Sequence, residues 1–448
     1  MKVSPARRIQ GRIRLPGDKS ISHRAAIIAA LARGESHLSN FSTSSDCAAT
    51  LGCLAKLGVR IDRNGSDIRV GGVGIGGFSA PTEPLDCGNS GSTMRMLAGA
   101  LAGHNFTSVL TGDDSLLSRP MRRIMAPLEM MGAHLESEEG HPPLRIKGHR
   151  PLMPVTYELP VASAQVKTCL LMAGLHAIGR TEVIERIGAT RDHTERMLRW
   201  FGVGVEPEEE IGRATADDPV SRCAVEGPTS FQGSDVRIPG DFSSASFLIA
   251  AAALAPSSEL DIEGLGLNPT RTKLLETLRS MGANIETVGA HEDCNELVGT
   301  LRIRGMESPA AQPVSRQGAD PIIIDGALSA ALIDELPLVA VIGTQSSGGL
   351  IIRDAGELRF KETDRIAATV ANLRAMGAEV EEYEDGLMTS GSKRLKGAQL
   401  ESYGDHRIAM AFSIAALLAE GDSEILDSSC VAVSFPEFFA CLESVVQR

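Results

Sequence analysis

Four short segments place cations at the start of a predicted helix, where a protein could bind an anion or transfer a proton. GDKSISHR begins at Gly17, GNSGSTMR at Gly88, RFKETDR at Arg359 and YGDHR at Tyr403. A helix N-terminus offers N–H groups that lack partners within the helix, and a Lys or Arg beside it completes an anion site. Taken one at a time, each segment is also compatible with a solvated first turn or a surface salt-bridge network.

The first two segments supply groups suited to a phosphate or a carboxylate. Lys19 and Ser20 lie in the first turn of a helix capped by an aspartate, and Arg24 follows Ser20 by four residues, so both can face one way. Gly91 stands where the backbone must come close to another group. The nearby SRPMRR adds Arg119, whose guanidinium can clamp a phosphate or carboxylate. The spacing of a phosphate-binding P-loop is absent.

The last two segments favour proton transfer and anion binding. Lys361, Glu362 and Arg365 set one carboxylate between two cations, which suits a group that holds and moves a proton. His406 and Arg407 begin a further helix after a capping aspartate. A lone histidine is more often structural than functional, so His406 adds little by itself.

A sequence pattern that occurs six times along the chain must position these segments. Each copy reads as a polar turn, an Ala/Leu-rich helix, a loop and a short strand, and most copies continue into a second helix that ends at a glycine. The copies are anchored at Asp18, Asn89, Ser163, Asp241, Asp334 and Asp405. The shared endings are KLGVRI, MMGAHL, WFGVGV, SMGANI and AMGAEV. The repeat predicts alternating helix and strand, hence an α/β (α+β) fold with three units in each of two domains.

Length and charge set the broad class of protein. At 448 residues the chain is long enough for two domains, and a polar stretch at 207–222 places their junction near 236–240. The chain has 44 Lys and Arg against 57 Asp and Glu, which gives a formal net charge of −13. That balance argues against a non-specific nucleic-acid binder and against a protein that binds anionic membranes. An anionic ligand would therefore need cations gathered locally.

Other features predict a cytoplasmic protein. The N-terminus has no apolar segment after its basic residues, so we expect no signal peptide. The most apolar run, at 246–255, is too short to span a bilayer. The eight cysteines are scattered without a CxxC pair, which is typical of reduced thiols and argues against a structural zinc site.

Six motifs follow one another in a fixed order: LPGDKSISHRA, GNSGSTMR, SRPM, SAQVK, RFKETDR and GDHRIAM. In that order they closely resemble the EPSP synthase (5-enolpyruvylshikimate-3-phosphate synthase) family, and the resemblance extends to SFPEFF at 434–439. It implies transfer of the enolpyruvyl group of phosphoenolpyruvate to the 5-hydroxyl of shikimate 3-phosphate, with release of phosphate. This reaction belongs to the shikimate pathway to chorismate and aromatic amino acids.

The resemblance also implies the architecture. The family's fold has two similar domains, each of three βαβαββ units, and is the inside-out α/β barrel of enolpyruvyl transferases. In this chain residues 18–236 would form one domain, and residues 1–17 with 237–448 would form the other. The active site would lie in the cleft between them.

Residue roles follow from the matching motifs. Shikimate 3-phosphate would be held by Lys19, Ser20, Arg24, Ser163, Ala164, Gln165, Arg191, Asp334 and Lys361. Phosphoenolpyruvate would be held by Lys19, Gly91, Arg119, Gln165, Arg365 and Arg407. Catalysis would use Lys19, Asp334 as the base for the 5-hydroxyl, and Glu362 as the acid that protonates the enol methylene and later removes a proton. The scheme uses no metal or organic cofactor, and we expect a monomer whose partners are the two substrates.

Three positions depart from the family pattern or vary within it. Many relatives have Lys where this chain has Val433, and some have Ser and Tyr contacts where it has TRDH at 190–193. The phosphoenolpyruvate contact at Val433 and the shikimate 3-phosphate contacts at TRDH therefore stay open. Gly91 stands where some glyphosate-tolerant members have Ala, which predicts sensitivity to glyphosate. Turnover at limiting phosphoenolpyruvate with added glyphosate checks this expectation.

Two other functions fit parts of the pattern. The related enolpyruvyl transferase that acts on UDP-N-acetylglucosamine typically has Lys-Asn where this chain has Lys19-Ser20. It also often has a Cys before its Arg-Pro pair, and DDSLLSRP has none. A non-catalytic anion-binding repeat protein of the same fold would have no reason to keep Lys19, Asp334 and Glu362 together with every binding cation.

Overall fold

The computed structural model describes residues 1–206, 221–306, 320–391 and 394–448, so residues 207–220 of the polar stretch lie outside it. The chain divides into two compact units. We call them the N-terminal unit, which comprises Pro16–Pro239 and Glu292–Glu296, and the C-terminal unit, which comprises Met1–Leu15, Gly240–His291 and Leu297–Arg448.

Short strands alternate with helices along the whole described chain. The strands are β1 (Lys2–Val3), β2 (Arg8–Arg14), β3 (Arg33–Ser39), β4 (Arg60–Asn64), β5 (Asp67–Val73), β6 (Leu85–Asp86), β7 (Thr107–Thr111), β8 (His134–Glu138), β9 (His141–Lys147), β10 (Thr156–Glu158), β11 (Gly179–Glu185), β12 (Ser221–Gly227), β13 (Val236–Arg237), β14 (Glu259–Gly266), β15 (Asn284–Asp293), β16 (Glu296–Arg304), β17 (Ile322–Ile324), β18 (Leu350–Ile352), β19 (Val380–Tyr383), β20 (Gly386–Thr389), β21 (Gln399–Glu401), β22 (Ser423–Leu426) and β23 (Val446–Gln447). The helices are α1 (Lys19–Leu31), α2 (Ser45–Lys56), α3 (Gly91–Ala102), α4 (Asp114–Leu117), α5 (Arg122–Met130), α6 (Ala164–Gly174), α7 (His193–Trp200), α8 (Phe242–Leu254), α9 (Lys273–Ser280), α10 (Gly326–Ala331), α11 (Leu336–Gly343), α12 (Arg365–Ala375), α13 (His406–Leu417) and α14 (Phe438–Val445). Short 3₁₀ segments cover Gly356–Phe360 and Ser428–Val433.

The described strands form six sheets, three in each unit. Each sheet contains one parallel pair and at least one antiparallel neighbour, as βαβ units extended by a further strand would give. The orders in the N-terminal unit are β13-β3-β5-β4, β6-β7-β9-β8 and β10-β11-β12. Those in the C-terminal unit are β15-β16-β14-β2-β23, β17-β18-β20-β19 and β1-β22-β21. The fold is mixed α/β, as the repeat predicted.

Two strands pair in a sheet of one unit, whereas the helix that follows each of them in the chain belongs to the other unit. Strand β2 precedes α1 but pairs in parallel with β14, in a sheet of the C-terminal unit. Strand β13 precedes α8 but pairs in parallel with β3, in a sheet of the N-terminal unit. This exchange explains why the C-terminal unit is discontinuous and includes the first residues of the chain, Met1–Leu15.

Glycines end five of the second helices, as the sequence predicted. They follow α2, α5, α7, α9 and α12, and their φ values lie between +79° and +102°, at Gly58, Gly132, Gly202, Gly282 and Gly377. This left-handed region is costly for a residue with a Cβ, so glycine is the residue that stops the helix there and turns the chain toward the next strand.

The first helices of the repeats form the core of each unit. All thirteen residues of α8 are buried, which is the expected fate of a helix that is apolar all round. Helices α3 and α6 approach closely at Gly99, where a Cβ would lie 2.0 Å from the backbone oxygen of Cys169. Because only glycine fits there, the small-residue sequence of α3 sets how near the two helices lie. The eight cysteines, all within the described residues, are free thiols.

A buried histidine pair lies in the N-terminal unit. The rings of His104 and His176 are 5.0 Å apart, and His104 stacks on Phe78 at 4.8 Å. Neither ring nitrogen of His176 makes a hydrogen bond within the described part of the chain. Burial lowers the pKa of His104 to about 4 and that of His176 to about 3. Both imidazoles are therefore neutral in the folded protein near pH 7.

We expect this pair to make the protein acid-sensitive. An unfolded histidine titrates near pH 6.5. Below that pH the unfolded chain binds a proton at each of these two histidines, whereas the folded protein does not. The free energy of unfolding therefore falls by about 1.4 kcal/mol per pH unit for each ring. In His176→Leu the free energy of urea unfolding should fall less steeply between about pH 6.5 and 4. The slope should be smaller by about 1.4 kcal/mol per pH unit, which is the contribution of one ring. His134→Leu, at an exposed position, should keep the original slope. Equal slopes in all three proteins would contradict the assignment.

Candidate active site

Side chains cap the starts of α1, α3 and α6 in the N-terminal unit. The Asp18 carboxylate accepts from the backbone N–H of Ile21 at 2.8 Å at the start of α1. Ser90 caps α3, one residue after the predicted anchor Asn89, and Ser163 caps α6. Serine and aspartate are favoured there because their short side chains satisfy backbone N–H groups that have no partner within the helix. The local sequence therefore fixes where each helix starts.

Side chains connect the first turns of α3 and α6. The Arg95 guanidinium donates to Gln165 Oε1 at 2.6 Å, and the Gln165 amide donates to Ser92 Oγ at 2.9 Å. Arg95 also donates to the carbonyl of Pro120 at 3.4 Å. These contacts hold two helix N-termini side by side, and helix N-termini attract anions.

Arg24 is a buried cation held by three groups. It donates to Thr194 Oγ1 at 2.7 Å, to Thr168 Oγ1 at 3.0 Å and to the carbonyl of Ser20 at 2.8 Å. Burial and the neighbouring Arg191 together lower its pKa to about 10, although nearby carboxylates act in the opposite direction. Two close cations repel one another, so an anion bound near both would be stabilised.

Lys19 lies at the start of α1 and contacts a carboxylate on α2. Its Nζ is 2.8 Å from Asp46 Oδ2, and both side chains are largely buried. The Asp46 carbonyl accepts from Thr93 Oγ1 at 3.4 Å, so Asp46 links Lys19 to the first turn of α3. The starts of α1, α3 and α6 are thus connected.

Gly91 is the first residue of α3 and lies beside two guanidinium groups. A Cβ built on it would be 2.9 Å from Arg95 Nη1 and 3.4 Å from Arg119 Nη1. Arg119 is buried and donates to Asn89 Oδ1 at 2.7 Å and to Ser115 Oγ at 3.1 Å. The absence of a side chain at Gly91 leaves both arginines close to the helix N-terminus.

The resemblance to the EPSP synthase family implies that phosphoenolpyruvate binds at Gly91, and on that basis we predict that Gly91→Ala weakens binding of this anion. The added methyl must push the Arg95 or Arg119 guanidinium aside, and misplacing one charge-assisted hydrogen bond costs about 1.5–3 kcal/mol, or roughly 10-fold or more in KM for phosphoenolpyruvate. Steady-state kinetics with each substrate varied in turn checks the prediction. Gly52→Ala, on α2 with nothing within 4 Å of the new Cβ, is the matched control. An unchanged KM for phosphoenolpyruvate in Gly91→Ala would refute it.

Arg365 is the central cation of the C-terminal unit. Its Nε is 2.7 Å from Asp405 Oδ2, its Nη2 is 2.5 Å from Glu362 Oε2, and its Nη1 is 3.9 Å from Asp334 Oδ1. Burial lowers the pKa of this guanidinium, but the three carboxylates outweigh burial and raise the pKa above its ordinary value. Arg365 therefore stays charged, and its Nη1 makes no hydrogen bond in the described chain.

Arg407 lies in the first turn of α13 and contacts two other elements of the C-terminal unit. Its Nη1 donates to Ser243 Oγ on α8 at 2.8 Å and to the carbonyl of Asp334 at 2.9 Å. Its Nη2 is 3.9 Å from Asp334 Oδ2. Asp334 thus lies within 4 Å of two buried arginines, Arg365 and Arg407.

The residues predicted from sequence fall into two sets, one in each unit. We call them the N-terminal cluster, made of Lys19, Ser20, Arg24, Gly91, Arg119, Ser163, Ala164, Gln165 and Arg191, and the C-terminal cluster, made of Asp334, Lys361, Glu362, Arg365 and Arg407. Lys361 pairs with Glu357 at 3.1 Å. Val433 is half-buried at the end of a 3₁₀ segment.

Sequence reasoning missed several polar residues of the two clusters. Arg95 lies four residues after Gly91, a helical spacing that could have identified it. Thr168 and Thr194 hold Arg24, and Glu335 follows Asp334, but their types and spacing carry no signal. In the ranges that the structure covers, no group of three or more His, Cys, Asp or Glu is arranged to hold a metal ion.

Comparison with known proteins gives a consistent result. The family described as EPSP synthase (3-phosphoshikimate 1-carboxyvinyltransferase) matches residues 3–442. The 3-phosphoshikimate 1-carboxyvinyltransferase of Koribacter versatilis is 49% identical, over 100% of this chain and 99% of the relative. That of Solibacter usitatus is 46% identical, over 100% and 99%.

Two solved structures are also similar. The EPSP synthase from Acinetobacter baumannii has a TM-score of 0.83 and 36% identity, over 99% of this chain and 98% of that one. The enolpyruvyl transferase NikO from Streptomyces tendae has a TM-score of 0.75 at 18% identity, over 99% and 96%, which shows a shared fold.

The fold is that of the enolpyruvyl transferases. Within this class, the chain belongs to the EPSP synthase (3-phosphoshikimate 1-carboxyvinyltransferase) family and is a transferase. The family, the fold class and the enzyme class predicted from the sequence are confirmed. No helix in the portions described here is both long enough and apolar enough to cross a membrane.

Proposed function

We propose that this protein transfers the enolpyruvyl group of phosphoenolpyruvate to the 5-hydroxyl of shikimate 3-phosphate and releases phosphate, in the shikimate pathway. The observation that carries the proposal is the Arg365 arrangement, in which one buried arginine contacts Glu362 and Asp405 and lies near Asp334. It combines a cation for a substrate oxygen with carboxylates for proton transfer. Family membership supports the same reaction.

The N-terminal cluster would hold most of shikimate 3-phosphate. Its phosphate would lie near Arg24 and Arg191, where it relieves the repulsion between the two cations. Ser20, Ser163, Ala164 and Gln165 would provide the remaining contacts around the starts of α1 and α6.

Phosphoenolpyruvate would be bound by groups from both clusters. Lys19, Gly91, Arg119 and Gln165 belong to the N-terminal cluster, and Arg365 and Arg407 belong to the C-terminal one. In addition, Asp334 and Lys361 would contact shikimate 3-phosphate. The proposal thus requires the two clusters to act on one pair of substrates. Two anionic substrates repel each other, which is the physical reason for so many cations.

The C-terminal cluster would carry the proton transfers. Glu362 would protonate the methylene carbon, C3 of phosphoenolpyruvate, which makes C2 cationic. The 5-hydroxyl oxygen of shikimate 3-phosphate would then bond to C2, while Asp334 takes the proton of this hydroxyl. Glu362 would then remove a proton from the new methyl group, re-forming the double bond as the C2–O bond to phosphate breaks. Glu362 and Asp334 both lie within 4 Å of Arg365, so this cation can stabilise each carboxylate when it has lost its proton.

A phosphate-release assay tests the proposed function. The protein with phosphoenolpyruvate and shikimate 3-phosphate should release phosphate, and the same protein with phosphoenolpyruvate and UDP-N-acetylglucosamine should not. Release only with the second acceptor would contradict the proposal, and release with neither would favour a non-catalytic anion-binding protein. The predicted cytoplasmic location, monomeric state and glyphosate sensitivity stay predictions.

A further inference from the structure

Glu335 is a buried carboxylate that the proposed reaction does not use. Its residue exposure is 1%. Its Oε1 accepts a short hydrogen bond from Ser243 Oγ and lies 3.5 Å from Arg407 Nη1 and 3.7 Å from Arg271 Nη2. Its Oε2 makes no hydrogen bond with the described residues.

Glu335 closes a ring of contacts around Arg407. Ser243 Oγ donates to Glu335 and accepts from Arg407 Nη1 at 2.8 Å. The same Nη1 donates to the carbonyl of Asp334, the residue directly before Glu335, at 2.9 Å. The Ser243 hydroxyl and the Asp334 carbonyl therefore both hold Nη1 of Arg407. Glu335 in turn orients the Ser243 hydroxyl.

The ring lies where three helices of the C-terminal unit begin. Ser243 is the second residue of α8, Glu335 directly precedes α11, and Arg407 is the second residue of α13. Helix N-termini attract negative groups, so the start of these helices is a favourable place for the Glu335 carboxylate.

A stabilising role alone does not account for this arrangement well. Buried charge clusters are often no more stable than apolar side chains of similar volume, because desolvation offsets the attraction. Here one carboxylate oxygen also lacks a hydrogen bond to any residue that the structure describes. What the ring does achieve is a defined orientation for the Arg407 guanidinium, which has several rotatable bonds of its own.

We propose that Glu335 is a positioning residue for phosphoenolpyruvate binding, which acts through Ser243 to fix Arg407 in the orientation that receives the substrate. The proposal rests on the proposed function, in which Arg407 binds phosphoenolpyruvate. Ser243 and Glu335 both contact Arg407, and neither is among the residues proposed to bind substrate. The pair thus adds two residues to those that determine affinity for the anionic substrate.

The test compares Ser243→Ala, Glu335→Gln and the double variant by steady-state kinetics. Each single variant should raise KM for phosphoenolpyruvate by about tenfold, because Ser243→Ala removes the hydroxyl that Arg407 contacts and Glu335→Gln removes the negative charge that orients this hydroxyl. The double variant should be little worse than either. KM for shikimate 3-phosphate should stay within about twofold, within the scatter of non-contacting substitutions. A purely structural defect would not separate the two substrates in this way. If Glu335→Gln fails to fold, Ser243→Ala decides.

Matched controls separate the inference from general damage to the unit. Ser413→Ala removes a buried hydroxyl on the same helix as Arg407, one that donates at 2.7 Å to the carbonyl of Ala409. Asp261→Asn alters a buried carboxylate on β14 that pairs with Arg302 at 2.9 Å. Both should leave KM for phosphoenolpyruvate unchanged.

Arg407→Gln separates two claims: that Arg407 binds phosphoenolpyruvate, and that Glu335 and Ser243 position Arg407. An unchanged KM for phosphoenolpyruvate in Arg407→Gln would show that the proposed role of Arg407 is wrong. A raised KM in Arg407→Gln, together with unchanged values in Ser243→Ala and Glu335→Gln, would overturn the positioning role alone. Additive effects in the double variant would also overturn it, because Ser243 and Glu335 would then act separately.

Discussion

Glu362→Gln should bind both substrates and lose turnover by about 10²–10⁴-fold, the range that general acid–base groups contribute. Gln has nearly the shape of Glu and can still contact Arg365, which lies 2.5 Å from Glu362 Oε2. It cannot give a proton to the methylene carbon or take one from the new methyl group. The defect should therefore appear in kcat, while substrate affinity is largely retained.

Rapid-quench kinetics and calorimetric titration measure the two quantities separately. Glu276→Gln provides the matched control, because Glu276 makes an exposed ion pair with Lys273 at 2.9 Å in the same unit. The control should retain normal kcat. Near-normal turnover in Glu362→Gln would remove Glu362 from the proposed acid role, and loss of binding with turnover intact at saturation would make it a binding group instead.

Lys167→Met should produce the largest loss of stability, about 3–5 kcal/mol in the free energy of unfolding. Lys167 lies between Glu185 at 3.0 Å and Glu195 at 2.7 Å, and none of the three side chains is more than 2% exposed. Removing the cation of this triad leaves two buried carboxylates without their shared charge partner. Methionine fills much of the volume, so the loss would come from charge rather than from a cavity.

Urea unfolding of Lys167→Met and of Lys167→Met with Glu195→Gln checks the cause. The second substitution removes one of the stranded charges, so the double variant should be more stable than Lys167→Met alone. Lys273→Met, which disrupts the exposed pair with Glu276, should change stability by less than about 1 kcal/mol. A loss below about 1 kcal/mol in Lys167→Met, or a further loss in the double variant, would contradict the charge argument.

The triad also lies beside the proposed substrate residues. Glu185 accepts from the Thr190 backbone at 3.1 Å and from its hydroxyl at 2.6 Å, and Thr190 directly precedes Arg191. Lys167 lies on α6, in the SAQVK motif. Its contact with Glu185, which in turn contacts Thr190, connects α6 to the segment that carries Arg191. Loss of Lys167 should therefore also affect the site where shikimate 3-phosphate is proposed to bind.

The family, the fold class and most helix starts could be predicted from the amino-acid sequence. Asp18 and Asp405 were predicted as helix caps and cap α1 and α13. Ser163 and Asp241, which were predicted only as anchors of the repeat, cap α6 and α8. Two predicted anchors were one residue early, because Ser90 caps α3 and Glu335 directly precedes α11. Caps and glycine stops were predictable because each depends on the backbone within one turn of chain.

Which charges are buried, and which groups they contact, depends on the tertiary structure and could not be predicted from local patterns. The net charge of −13 describes the whole chain, whereas Arg24, Arg365 and Arg407 are buried among partners far away in sequence. Lys167 and Glu335 look like ordinary surface residues in the sequence. Their burial depends on how close the small-residue helices pack, as α3 and α6 do at Gly99, and helix packing joins residues that no local pattern relates.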